Sequence, residues 1–175
     1  MPTDECSTSD AARGAGAKGL VTVPRVRSLI AADRAEWFRL WRGYLDFYGT
    51  VLDPFISETT WSRLLDIDRP VWGLVATEGA GLTGFVNYVL HDNTWTDKPV
   101  CYLEDLYVDP AARGRGAGGA LIAHLAALAQ REDWHRVYWM TRAGNQTARK
   151  LYDRMTPATD WVRYDIDIRK PEQEP

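Results

Sequence analysis

Arginine and glycine crowd the stretch DPAARGRGAGG, Asp109–Gly119, which joins the apolar run CYLEDLYV to the helical pattern ALIAHLAALAQ. A strand that enters a helix through glycines makes an anion site. The first N–H groups of the helix have no internal partner, and the helix dipole favours negative charge there. Glycine lets the backbone approach a ligand and take positive φ, and Arg113 and Arg115 can add charge-assisted contacts. The chemistry is that of holding a phosphate or diphosphate. The plain alternative is a tight turn with two solvated arginines.

Two further groups of residues carry chemistry. Glu104 and Asp105 interrupt the apolar run just before the loop. An unpaired buried carboxylate is costly, so each needs a cleft, a partner or solvent. In a regular strand the two point to opposite faces. Downstream, Asn145 and Tyr152 stand seven residues apart, which returns to nearly the same face of a helix, with the small Ala148 between them. A polar tip, a gap and a phenol on one stripe can line a narrow channel. Asn145 also suits a helix N-cap. A phenol with a pKa near ~10 is protonated at neutral pH and can donate a proton.

Gly114, Gly116 and Gly119 also fit G-x-G-x-x-G, the dinucleotide fingerprint. Two features oppose that reading. The later strand RVYWMT ends without the acidic residue that would take a ribose hydroxyl, and only 56 residues follow Gly119. The pattern G-x-x-x-x-G-K-[ST] of nucleoside triphosphate loops is absent. A similar stretch, RGAGAKG at Arg13–Gly19, lacks a strand before it and a helix after it, and is read as a decoy.

Stepping outward from these residues, VTVPRVRSLI reads as a first strand. DRAEWFRLWRGYLDFYG has Trp37, Leu40, Trp41, Tyr44, Leu45 and Tyr48 at helical spacing and stops at Gly49. SETTWSRLLDI reads as a short helix capped near Ser57. VWGLVAT and GLTGFVNYVLHD form a hairpin about EGAG. VCYLEDLYV is a strand, and LHDNTWTDKPV is read as the link before it. A helix, the short strand RVYWMT, a helix from Asn145 and a closing strand WVRYDIDI complete the order β-α-α-β-β-β-α-β-α-β. This is a mixed α/β fold layered about one sheet. Residues 1–20 are read as a disordered tail, 21–170 as a single domain and 171–175 as a frayed end.

Size and composition are those of one globular domain: 175 residues, 45% hydrophobic and 26% charged. A net charge of −3 gives no footprint for nucleic acid. No apolar run approaches the ~20 residues that span a bilayer. Two cysteines, Cys6 and Cys101, make no disulfide framework and fit a reducing cytosol. The histidines His91, His124 and His135 lack metal spacing, so no metal site is expected.

Arg113-x-x-Gly116-x-Gly118 resembles the acetyl-coenzyme A diphosphate loop of the GNAT superfamily of N-acetyltransferases. The resemblance runs from about Val71 to Tyr152 and includes CYLEDLYVDPAARGRGAG and VYWMTRAGNQTARKLYD. The latter matches the family's Asn-x-x-Ala-x-x-Leu-Tyr helix. YLEDLYV with RGRGAG looks most like the polyamine and small-amine acetyltransferases, and is similar to the histone/polyamine and D-amino-acid branch. The resemblance implies a central, mostly antiparallel, twisted sheet flanked by helices. It implies acetyl-CoA as cosubstrate, without a metal, on Arg113, Gly114, Arg115, Gly116, Ala117 and Gly118, with Asn145, Ala148 and Tyr152 alongside. Backbone groups of Leu106, Tyr107 and Val108 would pair with the pantetheine arm as with an added strand. Tyr152 would be the general acid toward the leaving thiolate. Glu104 would be the general base, acting through water or with a pKa raised by burial, and Asp105 is the reserve. Met140 stands where some relatives place an acid.

The expected reaction is direct acetyl transfer to a primary amine of a small molecule, a polyamine, diamine or amino acid, since neither cysteine looks like a nucleophile. Asp92 and Trp95 in the LHDNTWTDKPV link, together with Asp105, are substrate candidates through charge and cation–π contact, against a plain solvated loop for the first two. The expected setting is cytoplasmic, with no nucleic-acid or membrane partner and a possible homodimer. One departure stands out: LYDRMTPATDWV replaces the Leu-Tyr-x-x-x-Gly-Phe of relatives, which leaves the closing strand's place open. A non-catalytic acyl-coenzyme A binding module and a dinucleotide-binding oxidoreductase are the competing readings.

Overall fold

The computed structural model describes residues 24–166 and 168. The expected N-terminal tail, residues 1–20, and the C-terminal end, 171–175, lie outside them. Five strands form one sheet in the order β1-β2-β3-β4-β5. They are β1 Arg25–Ser28, β2 Val71–Glu78, β3 Gly81–Asn93, β4 Thr96–Val108 and β5 Arg136–Tyr138. The first four pair antiparallel and β5 joins β4 in parallel. Helices α1 Arg34–Tyr48 and α2 Pro54–Leu65 come between β1 and β2. Helix α3 Ala117–Arg131 crosses from β4 to β5, and α4 Gln146–Tyr152 follows.

The helices form where pattern and caps agree. Gly49 ends α1 with φ 64°, a left-handed C-cap. Helix α2 starts earlier than its sequence pattern indicated: Asp53 caps it by accepting from the Phe55 N–H, with Pro54 in the first turn. Ser57 is therefore inside the helix, buried, and accepts from Trp41 Nε1 at 3.0 Å. Asn145 caps α4, accepting from the Ala148 N–H at 3.3 Å.

One core layer joins the sheet to α1 and α2. Trp37 and Phe85 are wholly buried there, and Trp37 stacks on Trp41 at 5.2 Å. The other layer packs Leu121, Ile122 and Leu125 of α3 on Leu74, Val86, Cys101 and Leu103, with Leu151 and Tyr152 of α4 at its margin. The aromatic α1 stripe thus buries its N-terminal half completely, while Tyr44 and Tyr48 stay only half-buried.

Three expectations need correcting. The link LHDNTWTDKPV is not a loop: β3 and β4 continue as a ladder to Asn93 and Thr96, so only the turn lies outside the strands. RVYWMT keeps strand geometry only over Arg136–Tyr138. The closing strand WVRYDIDI has no place in the sheet among the described residues, where residues 156–166 form no helix or strand.

Candidate active site

Strand β4 changes character halfway. Val100, Cys101 and Tyr102 pair with Arg136, Val137 and Tyr138 of β5, and the parallel ladder stops there. Beyond it, Leu103 and Asp105–Val108 keep their β3 partners but have no strand on the other side among the described residues. The sheet splays, and among the described residues one edge of β4 from Leu103 to Val108 has no strand partner, with only Val108 O taken, by Arg113. Such an edge accepts an extended ligand as an added strand. Leu106, Tyr107 and Val108 lie on it.

At its far end the edge runs into the glycine loop. Asp109 opens a short 3₁₀ turn by accepting from the Ala111 N–H at 2.9 Å, and it pairs with Arg39 of α1. The backbone hydrogen bond from Ala111 and the Arg39 bond together hold the Asp109 carboxyl below its ordinary range. Gly114 and Gly116 then take φ of 76° and 88°, which only glycine adopts readily. Gly116 is the N-cap of α3, and the first intrahelical bond is Ala120 N–H to Gly116 O at 2.9 Å. The N–H groups of Ala117, Gly118 and Gly119 precede it and are the ones a helix leaves unpaired. The two arginines serve the loop itself. Arg113 Nε donates to Val108 O at 3.1 Å, and Arg115 pairs with Glu78 at 2.9 Å and donates to Ala111 O at 3.0 Å. Exposed backbone rather than free guanidinium is what the loop presents.

On the opposite bank, α4 carries Tyr152, half-buried and edge-on to Trp139 at 5.4 Å. Burial first, and then the Tyr48 phenol, push its pKa up to about 12, so it holds its proton at neutral pH. Asn145 is occupied as the α4 cap, and its Nδ2 donates to Thr141 Oγ1 at 3.1 Å. Ala148 stands half-buried between them.

The carboxylates differ from expectation. The β3–β4 register slips between Asn87, opposite Asp105, and Tyr88, opposite Leu103. Glu104 is the extra residue of a β-bulge, which breaks the alternation of faces. Both acids therefore act on one phenol, Tyr44 of α1, whose pKa is raised first by burial, then by Asp105 and less by Tyr48 and Glu104. Asp105 accepts from the Tyr44 hydroxyl and from Asn87 Nδ2 at 3.0 Å. Both donors are neutral, and burial holds its pKa above the ordinary value. Glu104 keeps contact with solvent, yet its pKa is also raised, first by the protein around its carboxyl and then by the Asp105 charge, with Arg163 opposing. The result is two adjacent acids with little cationic compensation, an arrangement that attracts an ammonium group.

Tyr44, Tyr48 and Asn87 belong to this site, although their places in an α1 stripe and a β3 run mark them for the core. Asn87 is 3% exposed and its Oδ1 is buried without a partner. A polar residue inside GFVNYVL was the signal, because burying one needs a reason. Tyr44 and Tyr48 lie 4.9 Å apart, and the Arg142 guanidinium sits 5.1 Å over the Tyr48 ring. Asp92 and the 85%-exposed Trp95 do not join this group. The long hairpin carries Trp95 nine residues along β4 from Glu104, roughly 30 Å at strand rise. Met140 is exposed just past β5. Cys101 is wholly buried, and burial pushes its thiol up to about 12, so it is no nucleophile at neutral pH. No metal-holding group of His, Cys, Asp and Glu occurs among the described residues, nor does any helix there have the length and apolarity to cross a membrane.

The chain resembles known proteins over most of its length. The Acetyltransferase (GNAT) family matches residues 34–156. A D-amino-acid N-acetyltransferase of Saccharomyces cerevisiae is 35% identical over 141 residues, covering 79% of this chain and 88% of that protein. An aminoglycoside N(6')-acetyltransferase type 1 of Stenotrophomonas maltophilia is 34% identical over 111 residues, 62% of this chain and 69% of that one. Among solved structures, a ribosomal-protein-alanine N-acetyltransferase from Brucella melitensis superposes with a TM-score of 0.71 at 27% identity, covering 83% of this chain and 99% of that one. The dinucleotide and binding-module readings give way to this. The chain belongs to the acetyltransferase (GNAT) family and is an acetyl-CoA-dependent N-acetyltransferase.

Proposed function

We propose that the protein acetylates the primary amine of a small cationic molecule, an amino acid or a polyamine, by direct transfer. The observation that carries this is the open edge of β4, bordered on one bank by Glu104 and Asp105 and on the other by Tyr152. Acetyl-CoA supplies the activated acetyl group. Its diphosphate fits the first-turn N–H groups of α3 and the exposed backbone of Arg113–Gly118. Its pantetheine arm fits the backbone of Leu106–Val108 as an added strand. Asn145 and Ala148 line the side from which Tyr152 reaches.

Each proton then has a place to go. An alkyl ammonium with a pKa near ~10 must lose a proton before its nitrogen can attack. Glu104, solvent-facing and with a raised pKa, takes it through water. Asp105 stays in its cage of Tyr44 and Asn87 and contributes negative potential. Once the C–N bond has formed, the nitrogen gives its second proton to solvent, the C–S bond breaks, Tyr152 gives its Oη proton to the departing sulfur, and Tyr152 recovers a proton from solvent. Amino acids are the favoured acceptors: the yeast relative acts on D-amino acids by its name, and Arg142 on the Tyr48 ring offers a guanidinium to a carboxylate. A cytosolic setting fits the reduced, buried Cys101.

The test is thiol release from acetyl-CoA across D- and L-amino acids, spermidine, putrescine and an aminoglycoside. The reading expects turnover with at least one amino acid or polyamine, and at least a 10²-fold loss in Glu104→Gln. Turnover that persists in Glu104→Gln at the wild-type rate would remove Glu104 as the base. Turnover confined to the aminoglycoside would overturn the acceptor class.

A further inference from the structure

Helix α1 meets the open half of β4 at alternate residues of the strand and its continuation, Asp105, Tyr107 and Asp109. Asp105 accepts from the Tyr44 hydroxyl. Tyr107 lies against Gly43, where a Cβ would collide with its phenol, so a glycine lets helix and strand come this close. Asp109, which opens the glycine loop, pairs with Arg39.

The Arg39 guanidinium continues the sheet where the backbone stops. The β3–β4 ladder ends at Gly84 and Val108, with one further bond from the Asp109 N–H to Thr83 O at 2.9 Å. Arg39 takes the next step: Nη1 donates to Asp109 Oδ2, and Nη2 donates to Leu82 O at 2.9 Å. One fork thus spans the start of β3 and the end of β4. Glu36, one turn earlier on α1, steadies it at 3.1 Å. The other Asp109 oxygen, Oδ1, accepts from the Ala111 N–H. A single carboxylate therefore joins α1 to the turn that leads into Gly114 and Gly116.

Stability is not what this pair chiefly supplies. The Arg39 and Asp109 side chains are 40% and 24% exposed, and ion pairs near the surface contribute little to folding. A planar fork supplies direction instead. Direction matters here, because this end of β4 has a strand on one side only among the described residues.

We propose that Arg39 is a positioning residue for the cosubstrate: through Asp109 it fixes the end of β4 and the entrance of the glycine loop, so that the β4 edge and the N–H groups of Ala117–Gly119 are aligned for one acetyl-CoA molecule. The proposal rests on the reading that the loop holds the diphosphate. Arg39 touches no reacting atom and acts through the loop alone. Because α1 also carries Tyr44 to Asp105, the cosubstrate and acceptor sides are aligned on one rigid element.

Calorimetry with coenzyme A and steady-state kinetics test this on Arg39→Gln, Asp109→Asn, the double variant and Arg39→Lys, with Gly116→Val as the reference for the loop. Asparagine keeps the Asp109 cap and loses its charge. Each of the first two variants should raise the coenzyme A Kd and the acetyl-CoA KM roughly 10-fold, as a misplaced positioning element does. The kcat at saturation and the acceptor KM should stay near wild type, which a general loosening of the fold would not give. The double variant should lose no more than either single one, and Arg39→Lys, with the charge but not the fork, should recover part of the loss. If Arg39→Gln fails to fold, Asp109→Asn decides alone. Wild-type coenzyme A affinity in both single variants, or additive losses in the double, overturns the proposal, and a weakened Gly116→Val then leaves the loop reading standing. Wild-type affinity in Gly116→Val as well overturns both.

Discussion

The two halves of β4 have opposite fates. From Val100 to Tyr102 the strand is paired on both sides, and Val100 and Cys101 are wholly buried. From Leu103 to Val108 it has lost its β5 partner, bulges at Glu104 and carries both acids. The chemistry-bearing residues sit where the ladder stops. A sheet that splays leaves backbone donors and acceptors unpaired, a cost offset only if something else pairs with them. A bulge re-aims side chains at such a point. The sealed half supplies rigidity, and the open half supplies function.

That contrast can be broken most sharply at the proton-handling groups. Tyr152→Phe and Glu104→Gln should each lower kcat by ~10²–10⁴-fold, the usual contribution of a positioned acid or base, with coenzyme A affinity unchanged by calorimetry. The pH profile separates them. Glu104 must be unprotonated to act, and its pKa is raised above 4.5. Wild-type kcat/KM should therefore rise with pH through a limb displaced above the ordinary carboxylate value. Glu104→Gln should lose that limb and keep the one that belongs to the acceptor amine.

A smaller effect is expected in the loop. Gly116→Val forces a β-branched residue to φ 88°, at a cost of about 1–2 kcal/mol. Acetyl-CoA binding should weaken by roughly 10-fold, with the kcat of saturated enzyme nearly unchanged. On the sealed half, Val100→Ala should do the reverse. Urea unfolding should report a loss of about 2 kcal/mol from a fully buried site, while kcat/KM stays at the wild-type value.

The smallest effect has the opposite sign. Asp105 has a raised pKa, so the folded protein binds its proton more tightly than the unfolded chain does. Its contribution to stability is present below the unfolded value of 3.8 and is lost as pH rises through the folded value. Asp105→Asn removes that loss. Its Tm should exceed wild type by a few degrees at neutral pH, as about 1 kcal/mol would give, and the difference should vanish in melts below pH 3.8. A lower kcat/KM for cationic acceptors should accompany the gain.

Legibility in the sequence followed the range of the interactions. The glycine loop, the Gly49 stop, the Asn145 cap and the EGAG hairpin are local, and each was readable from a few adjacent residues. The start of α2 was equally local, in Asp53-Pro54, but the more distant Ser57 pattern masked it. The splay and the bulge are not local. They depend on where β5 stops and how β3 registers against β4, so nothing in LEDLYV told that Glu104 and Asp105 would share a face. Tyr44 and Asn87 lay in apolar patterns that fit a core equally well. WVRYDIDI had a strand's pattern, and pattern specifies the need for a partner without naming it.

The central claim is that the unpaired β4 edge receives the extended arm of acetyl-CoA. Amide hydrogen exchange with and without coenzyme A, at concentrations where calorimetry shows saturation, tests it most directly. The account predicts new protection at Leu103–Val108 and Gly114–Gly118, with Val100–Tyr102 unchanged. Saturated protein in which Leu103–Val108 exchanges as fast as in the free form would contradict it.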